Sequence, residues 1–188
     1  MELSFPPDAV VVVAGVPGAG KTTLIRRTVD RHGVRVVDTD DRDRRGPLLY
    51  LGHYARIVVA IAGRRPVVIH SRGTHPAARR AIAALAALRG RSAHLVLLDA
   101  ARDEAEAGQR QRGRTVPPDE MDRQVVRWRR LMARRPGREG WAGIVTLDRA
   151  QAARTEAFEF RARREPRTAA ATMYGARTVP GRRQGLAP

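Results

Sequence analysis

The chain has 188 residues, a formal net charge of +17 and no cysteine. That length suits one domain with an adequate core. The missing cysteine excludes disulfides, thiolate metal sites and a cysteine nucleophile. No apolar run approaches the ~20 residues that a membrane-spanning helix needs. The opening MELSFPPD lacks a basic segment followed by an apolar one, so the expected location is a reducing cytoplasm and no membrane partner is expected. Of the 36 basic residues only Lys21 is lysine, which leaves 35 arginines. Such a charge invites nucleic acid as a partner. Codon usage in a GC-rich genome yields the same composition, so nucleic acid stands as an open candidate.

In chain order, Ala9 to Ala14 (AVVVVA) is a short, wholly apolar, β-branched run. It reads as a central parallel strand covered on both faces. Gly15-Val16-Pro17-Gly18-Ala19-Gly20-Lys21-Thr22 follows and fits the G-x-x-x-x-G-K-[ST] pattern of a phosphate-binding loop. The solitary lysine falls where a compact ammonium is wanted among phosphate oxygens; a planar guanidinium fork would not fit that cradle. Gly18 and Gly20 let the backbone come close to phosphate and take dihedrals closed to other residues. A helix from Thr22, with Ile25 and Val29 on one face and Gly33 as a stop, turns its positive dipole end toward an anion. Thr22 is the candidate Mg²⁺ ligand.

A second strand, Val34 to Val37, ends in Asp38-Thr39-Asp40-Asp41. Leu48 to Ala62 reads as a helix with Leu51, Ile57, Val58 and Ile61 inward. Pro66 to Ile69 is a third strand, followed by a helix from Ala77 to Leu88 closed by Gly90. His94 to Leu98 is a fourth strand, followed by an arginine-rich helical stretch, Pro117-Pro118, and a helix from Asp119 to about Ala133. Gly143 to Leu147 is a fifth strand, with a last helix from Arg149 to about Arg161. Strands alternating with helices predict a doubly wound α/β sheet with ligands at the carboxyl ends of the strands, where Gly15, Asp38, Asp40, His70 and Asp99 fall. Trp128 and Trp141 read as packing residues, and His53 and Tyr54 read as packing residues too, with lining of a ligand pocket as the alternative. The domain is expected to span 1–161. Residues 162–188 bring six arginines and one acid (Glu165) with scattered Gly and Pro. They read as a disordered basic tail, or as an arm that holds nucleic acid electrostatically.

A phosphate loop alone does not choose between classes. A GTPase would read guanine with Asn-Lys-x-Asp, and the only lysine is already used. A motor ATPase would end a strand in adjacent acids, and the third strand ends in His70-Ser71. A kinase needs a carboxylate near the γ-phosphate, cations for the migrating phosphoryl group, and a cover that excludes water. Asp40 is the favoured base, with Asp38 and Asp41 competing. Gln109-Arg110-Gln111-Arg112-Gly113-Arg114, within a lid of about 102–118, offers three arginines beside a glycine hinge. His70 and Arg72 suit a small anionic or sugar-like acceptor.

On Gly15–Thr23 (GVPGAGKTT), Asp40-Asp41, Pro66–Arg80 and Gln109–Trp128, the chain resembles the small P-loop kinases. These group with polynucleotide 5′-hydroxyl kinases, zeta-toxin-like kinases and AAA-type ATP-binding proteins. The resemblance covers about residues 9–148. It implies a three-layer P-loop NTPase fold, with a parallel sheet of order 2-3-1-4-5 and a helical lid, that uses ATP with Mg²⁺. It implies phosphoryl transfer to a hydroxyl of a small molecule or a nucleic-acid end. Gly15, Pro17, Gly18, Ala19, Gly20, Lys21, Thr22 and Thr23 then bind nucleotide, with Thr22 on the metal and Asp40 as base. Arg110, Arg112 or Arg114 becomes the lid arginine. Asp38, His70 and Arg72 are the residues nominated for the acceptor side by their position, and the last two depart from the family pattern, standing where polynucleotide kinases carry an Asp-Thr-Asn-like cluster. The alternative is an ATP-binding or ATP-hydrolysing regulatory module that docks on nucleic acid through its tail.

Overall fold

The structure, a computed structural model, describes residues 1–38, 47–113, 115–134 and 136–161, without the side chains of 47–50 and 138. Asp40, Asp41, Arg114 and the tail 162–188 lie outside the described residues. The elements run β1 (Glu2–Phe5), β2 (Val10–Gly15), α1 (Lys21–Thr28), β3 (Arg35–Val37), α2 (Pro47–Ala62), β4 (Val67–Ser71), α3 (Pro76–Leu88), β5 (Ala93–Asp99), α4 (Arg102–Arg110), α5 (Pro118–Arg134), a 3-10 turn (Pro136–Glu139), β6 (Gly143–Asp148), α6 (Arg149–Arg154) and β7 (Ala157–Phe160).

Five strands form one parallel sheet in the order β3-β4-β2-β5-β6. This is the expected 2-3-1-4-5 arrangement once β1 is counted. Every residue of β2 is buried, as its unbroken apolar run requires of a strand covered on both faces. The chain leaves β2 toward β3 on one side and crosses from β4 to β5 on the other. Right-handed crossovers therefore put α1 and α3 on opposite faces of the sheet. The direction reverses at β2, so the carboxyl ends of β2 and β4 open a crevice there.

Two expectations are corrected. The final helix does not reach Arg161: α6 ends at Arg154, and Ala157–Phe160 form β7, parallel to β1 with Phe5 opposite Phe160. The alternating Phe158 and Phe160 stack on Phe5, with ring centroids 5.4 and 5.6 Å apart, so a distant aromatic partner overrides local helical character. The second correction concerns α2, whose buried face is Ile57, Ala60 and Ile61. Leu51 and Val58, seven residues and so about 20° apart around the helix, share one face and are exposed together with Tyr54, which therefore does not pack in the core. Trp128 and Trp141 are both in the core.

Two buried arginines lock the scaffold. Arg91, just before β5, donates to the carbonyls of Asp8 (2.7 Å), Ile61 (2.6 Å), Gly63 (2.8 Å) and Arg65 (2.6 Å). Arg79 of α3 forms a two-pronged pair with Glu139 at 2.7 and 2.6 Å, and Trp141 Nε1 also donates to that carboxylate. Burial alone would raise Glu139, but the donors from Arg79 and Trp141 outweigh it and hold the carboxyl below the usual carboxylate range. Its contribution to stability is therefore present above the unfolded value near pH ~4.3 and is lost as pH falls through the lower folded value. Glu139→Gln should cost about 3 kcal/mol at pH 7 by leaving Arg79 unpaired. In urea melts the gap to wild type should shrink as the pH drops toward 3; a gap independent of pH would contradict this.

Candidate phosphate-binding site

The phosphate loop leaves the buried end of β2 and enters α1 without a break. Gly18 and Gly20 both have positive φ (87° and 95°). Gly20 is the N-cap of α1 in the left-handed region and supplies no side-chain acceptor, so the N–H groups of the first turn remain for an anion. Lys21 is buried, and its Nζ donates to the carbonyls of Gly15 (2.8 Å) and Val16 (2.9 Å). The ammonium is thereby held inside the arch of the loop.

Helix α4, in the segment expected to form a lid, sits directly on this arch. A Cβ on Gly18 would lie 1.9 Å from the carbonyl oxygen of Ala105, and one on Gly108 would lie 2.4 Å from that of Gly18. Both positions exclude a side chain because two backbones meet there. Gln109 fastens the same junction: its Nε2 donates to Pro17 O at 3.2 Å, and its Oε1 accepts from Val116 N at 2.7 Å. Beyond α4, Arg112 reaches back to the loop and donates to Thr23 Oγ1 at 2.8 Å, with a longer contact to Thr22 Oγ1 at 3.5 Å.

The wall opposite the lysine loop is built by strand register. Val37 of β3 pairs with Ile69 of β4, which brings Asp38 beside His70. Asp38 Oδ1 and His70 Nδ1 lie 2.5 Å apart, and both side chains are largely buried. Arg72 stands two residues further on, held at 3.3 Å by Glu120 from the first turn of α5. His53 of α2 adds a buried Nδ1 with no hydrogen-bond partner. Burial holds its imidazole below the usual histidine range; Arg56 pushes the same way and Asp38 opposes.

One cavity of about 430 Å³ joins the loop to Asp38, His70 and Arg72, with His53 and Glu120 outside its lining. Pro17, Gly18, Gly20, Lys21, Thr22 and Thr23 line it from the loop, Asp38, His70 and Arg72 from the strand ends, and Arg112 from the lid. Gly15 takes part through its carbonyl, and Ala19 is packed beneath. Of the lid arginines, Arg112 faces the loop, whereas Arg110 lines a neighbouring cavity of about 440 Å³ with Thr115 and Met121. Asp99, at the end of β5, accepts from Trp128 Nε1 at 2.8 Å and does not line the phosphate cavity. Sequence reasoning gives no role to Glu120 and Arg26, nor one of its own to Gln109 within the lid segment, although all three line or brace the cavity. Nothing in the sequence sets these three apart from their polar neighbours.

A family model described as "AAA domain" matches residues 10–137, more than half of the chain. The chain belongs to the AAA domain family. No curated protein matches it. Among solved structures, this AAA domain is similar to a gluconokinase from Sinorhizobium meliloti 1021 (TM-score 0.58, 18% identity, 79% of this chain and 87% of that one). It is also similar to a protein of the PezAT chromosomal toxin–antitoxin system of Streptococcus pneumoniae (TM-score 0.59, 15% identity, 80% and 71%). A third is a putative kinase from Chloroflexus aurantiacus J-10-fl (TM-score 0.52, 15% identity, 77% and 86%). At these identities the likeness is one of fold, and it agrees with the resemblance of the sequence to small P-loop kinases. Among the described residues, no helix is long and apolar enough to cross a membrane.

Gly18→Ala should separate α4 from the loop, because the added methyl meets the backbone of Ala105 at a φ that favours glycine. We expect a loss of about 1–3 kcal/mol in urea denaturation together with weaker ATP binding by calorimetry. Wild-type values for both would show that this contact does not hold lid to loop.

Proposed function

We propose that this AAA domain is an ATP-dependent phosphotransferase that moves the γ-phosphoryl group to a hydroxyl of a small molecule or a nucleic-acid end. The observation that carries the reading is the convergence, in one cavity, of the Lys21–Thr22 loop, the lid cation Arg112 and a polar acceptor wall of Asp38, His70 and Arg72. A gluconokinase and a putative kinase among the structural neighbours support it.

The residues present fit ATP and Mg²⁺. The uncapped N-terminus of α1 and the left-handed glycines make a cradle of backbone N–H groups. Among the described residues no group of three metal-binding side chains occurs. A cation beside Thr22 would therefore rely on one hydroxyl plus phosphate and water oxygens, the ligand set that Mg²⁺ prefers. When bound, the nucleotide supplies the transferable group and the metal neutralises its oxygens.

This chain's own residues do the rest. Lys21 supplies a point charge under the loop, and Arg112 supplies a guanidinium at its mouth for the charge that develops in transfer. Asp38 is engaged with His70, so the pair suits holding an acceptor rather than taking its proton. Asp40, two residues on, is the assigned base that accepts the proton of the acceptor hydroxyl. Arg72 offers a donor fork to an anionic or polyol acceptor. Gln109 and α4 close one side of the cavity against water.

Lys21→Ala should lower kcat/KM for ATP about 100-fold or more. Asp40→Asn should keep ATP binding within about twofold while acceptor-dependent ADP release falls roughly 10²–10⁴-fold. Acceptor-independent hydrolysis that survives Asp40→Asn and rises with added nucleic acid would replace this reading with that of a regulatory ATPase.

A further inference from the structure

Arginine is abundant in this chain, yet the fold does not spread it evenly. The outer face of α3 exposes Ala81, Ala84, Ala87 and Leu88 with one arginine, Arg80, and that of α2 exposes Leu51, Tyr54, Val58 and Val59 with one arginine, Arg56. By contrast α5 exposes Arg123, Arg127, Arg129, Arg130 and Arg134. Four of these, Arg123, Arg127, Arg130 and Arg134, follow i, i+4, i+7, i+11 spacing and form one row along the helix, about 16 Å long at 1.5 Å per residue. Among the described residues no other helix exposes more than two arginines, so an aligned row of four is particular to α5.

The row carries little neutralising charge. Arg123 pairs with Asp119 at 2.9 Å between two exposed side chains, a contact worth little in water. Asp122 is taken by Arg102. Arg127, Arg130 and Arg134 have no acidic partner among the described residues. The row also begins at a meaningful place: Glu120, three residues before Arg123, braces Arg72 at the phosphate cavity.

We infer that the arginine row of α5 is a docking track for the phosphate backbone of nucleic acid, leading to the mouth of the cavity. Charge complementarity singles out this occupant. A membrane surface would need a free apolar face on the same helix, but the opposite face of α5 (Met121, Trp128, Leu131) is buried in the core. A protein partner would need apolar or aromatic anchors, and Val126 is the one large apolar side chain that α5 exposes. A row of cations without aromatic platforms holds backbone phosphates, independently of sequence and strongly dependent on salt.

The test uses the full chain and a fluorescent 20-nucleotide single strand titrated at 50–200 mM salt. The triple variant Arg127→Gln, Arg130→Gln, Arg134→Gln is compared with an equal charge loss elsewhere (Arg56→Gln, Arg64→Gln, Arg65→Gln), the basic tail being intact in both. We expect the α5 variant to bind at least about tenfold more weakly and its salt slope to flatten by about 2, at ~0.7 per lost phosphate contact. The control variant should change less than about threefold. Should the triple variant fail to fold by circular dichroism, Arg127→Gln and Arg130→Gln are read singly. Equal losses in both triple variants, or no binding by wild type at 50 mM salt, would overturn the inference. So would binding to phosphatidylserine vesicles that the α5 variant loses while oligonucleotide binding is unchanged. ATP binding, measured alongside, reports on the proposed activity independently and is expected to be the same in all three proteins.

Discussion

Everything at the rim of this molecule depends on parallel pairing of β4, β2 and β5. Val13 stands opposite His70 and Val96, and Gly15 opposite Leu98, so three strands reach their carboxyl ends in step. β2 is bonded to β4 along one edge and to β5 along the other, so its register is held from both sides. That fixed register sets the start of the phosphate loop. It also sets the distance from the loop to Asp38 and His70, which arrive on the neighbouring strands β3 and β4.

The cations divide their labour by shape. The single ammonium sits under the arch on two carbonyls, where a compact charge fits. Guanidinium groups appear where several acceptors must be met in a plane. Arg91 gathers backbone carbonyls, Arg79 grips a carboxylate with two parallel bonds, and Arg112 lies on two hydroxyls. The row on α5 differs from all of these, being charge turned toward solvent with little built to receive it.

Much of this was legible in the amino-acid order. The valine run, the glycines and Lys21 announced strand, loop and helix, because each has a local physical reason to be there. Sheet order followed from alternation and the resemblance to P-loop kinases. The pairing of β1 with β7 was hidden, since Phe5, Phe158 and Phe160 meet across more than 150 residues and neither segment is strand-like enough alone. The acids and His70 could be nominated as site residues, but that Asp38 engages His70 depends on the register of β3 against β4. Three lid arginines were equivalent on paper. The end of α4 separates Arg110, its last residue and over the next cavity, from Arg112, in the turn beyond it and over the loop.

Arg91 has a consequence for how the molecule comes apart. Its donors span the residue groups that precede β2 and β4 and the last carbonyls of α2, at the end of the sheet away from the cavity. A helix terminus tied in this way cannot fray on its own, because releasing it strands a buried guanidinium. The end of α2 and the entries to the central strands are thus joined into one cooperative unit, whose amides should exchange with solvent together and only near global opening.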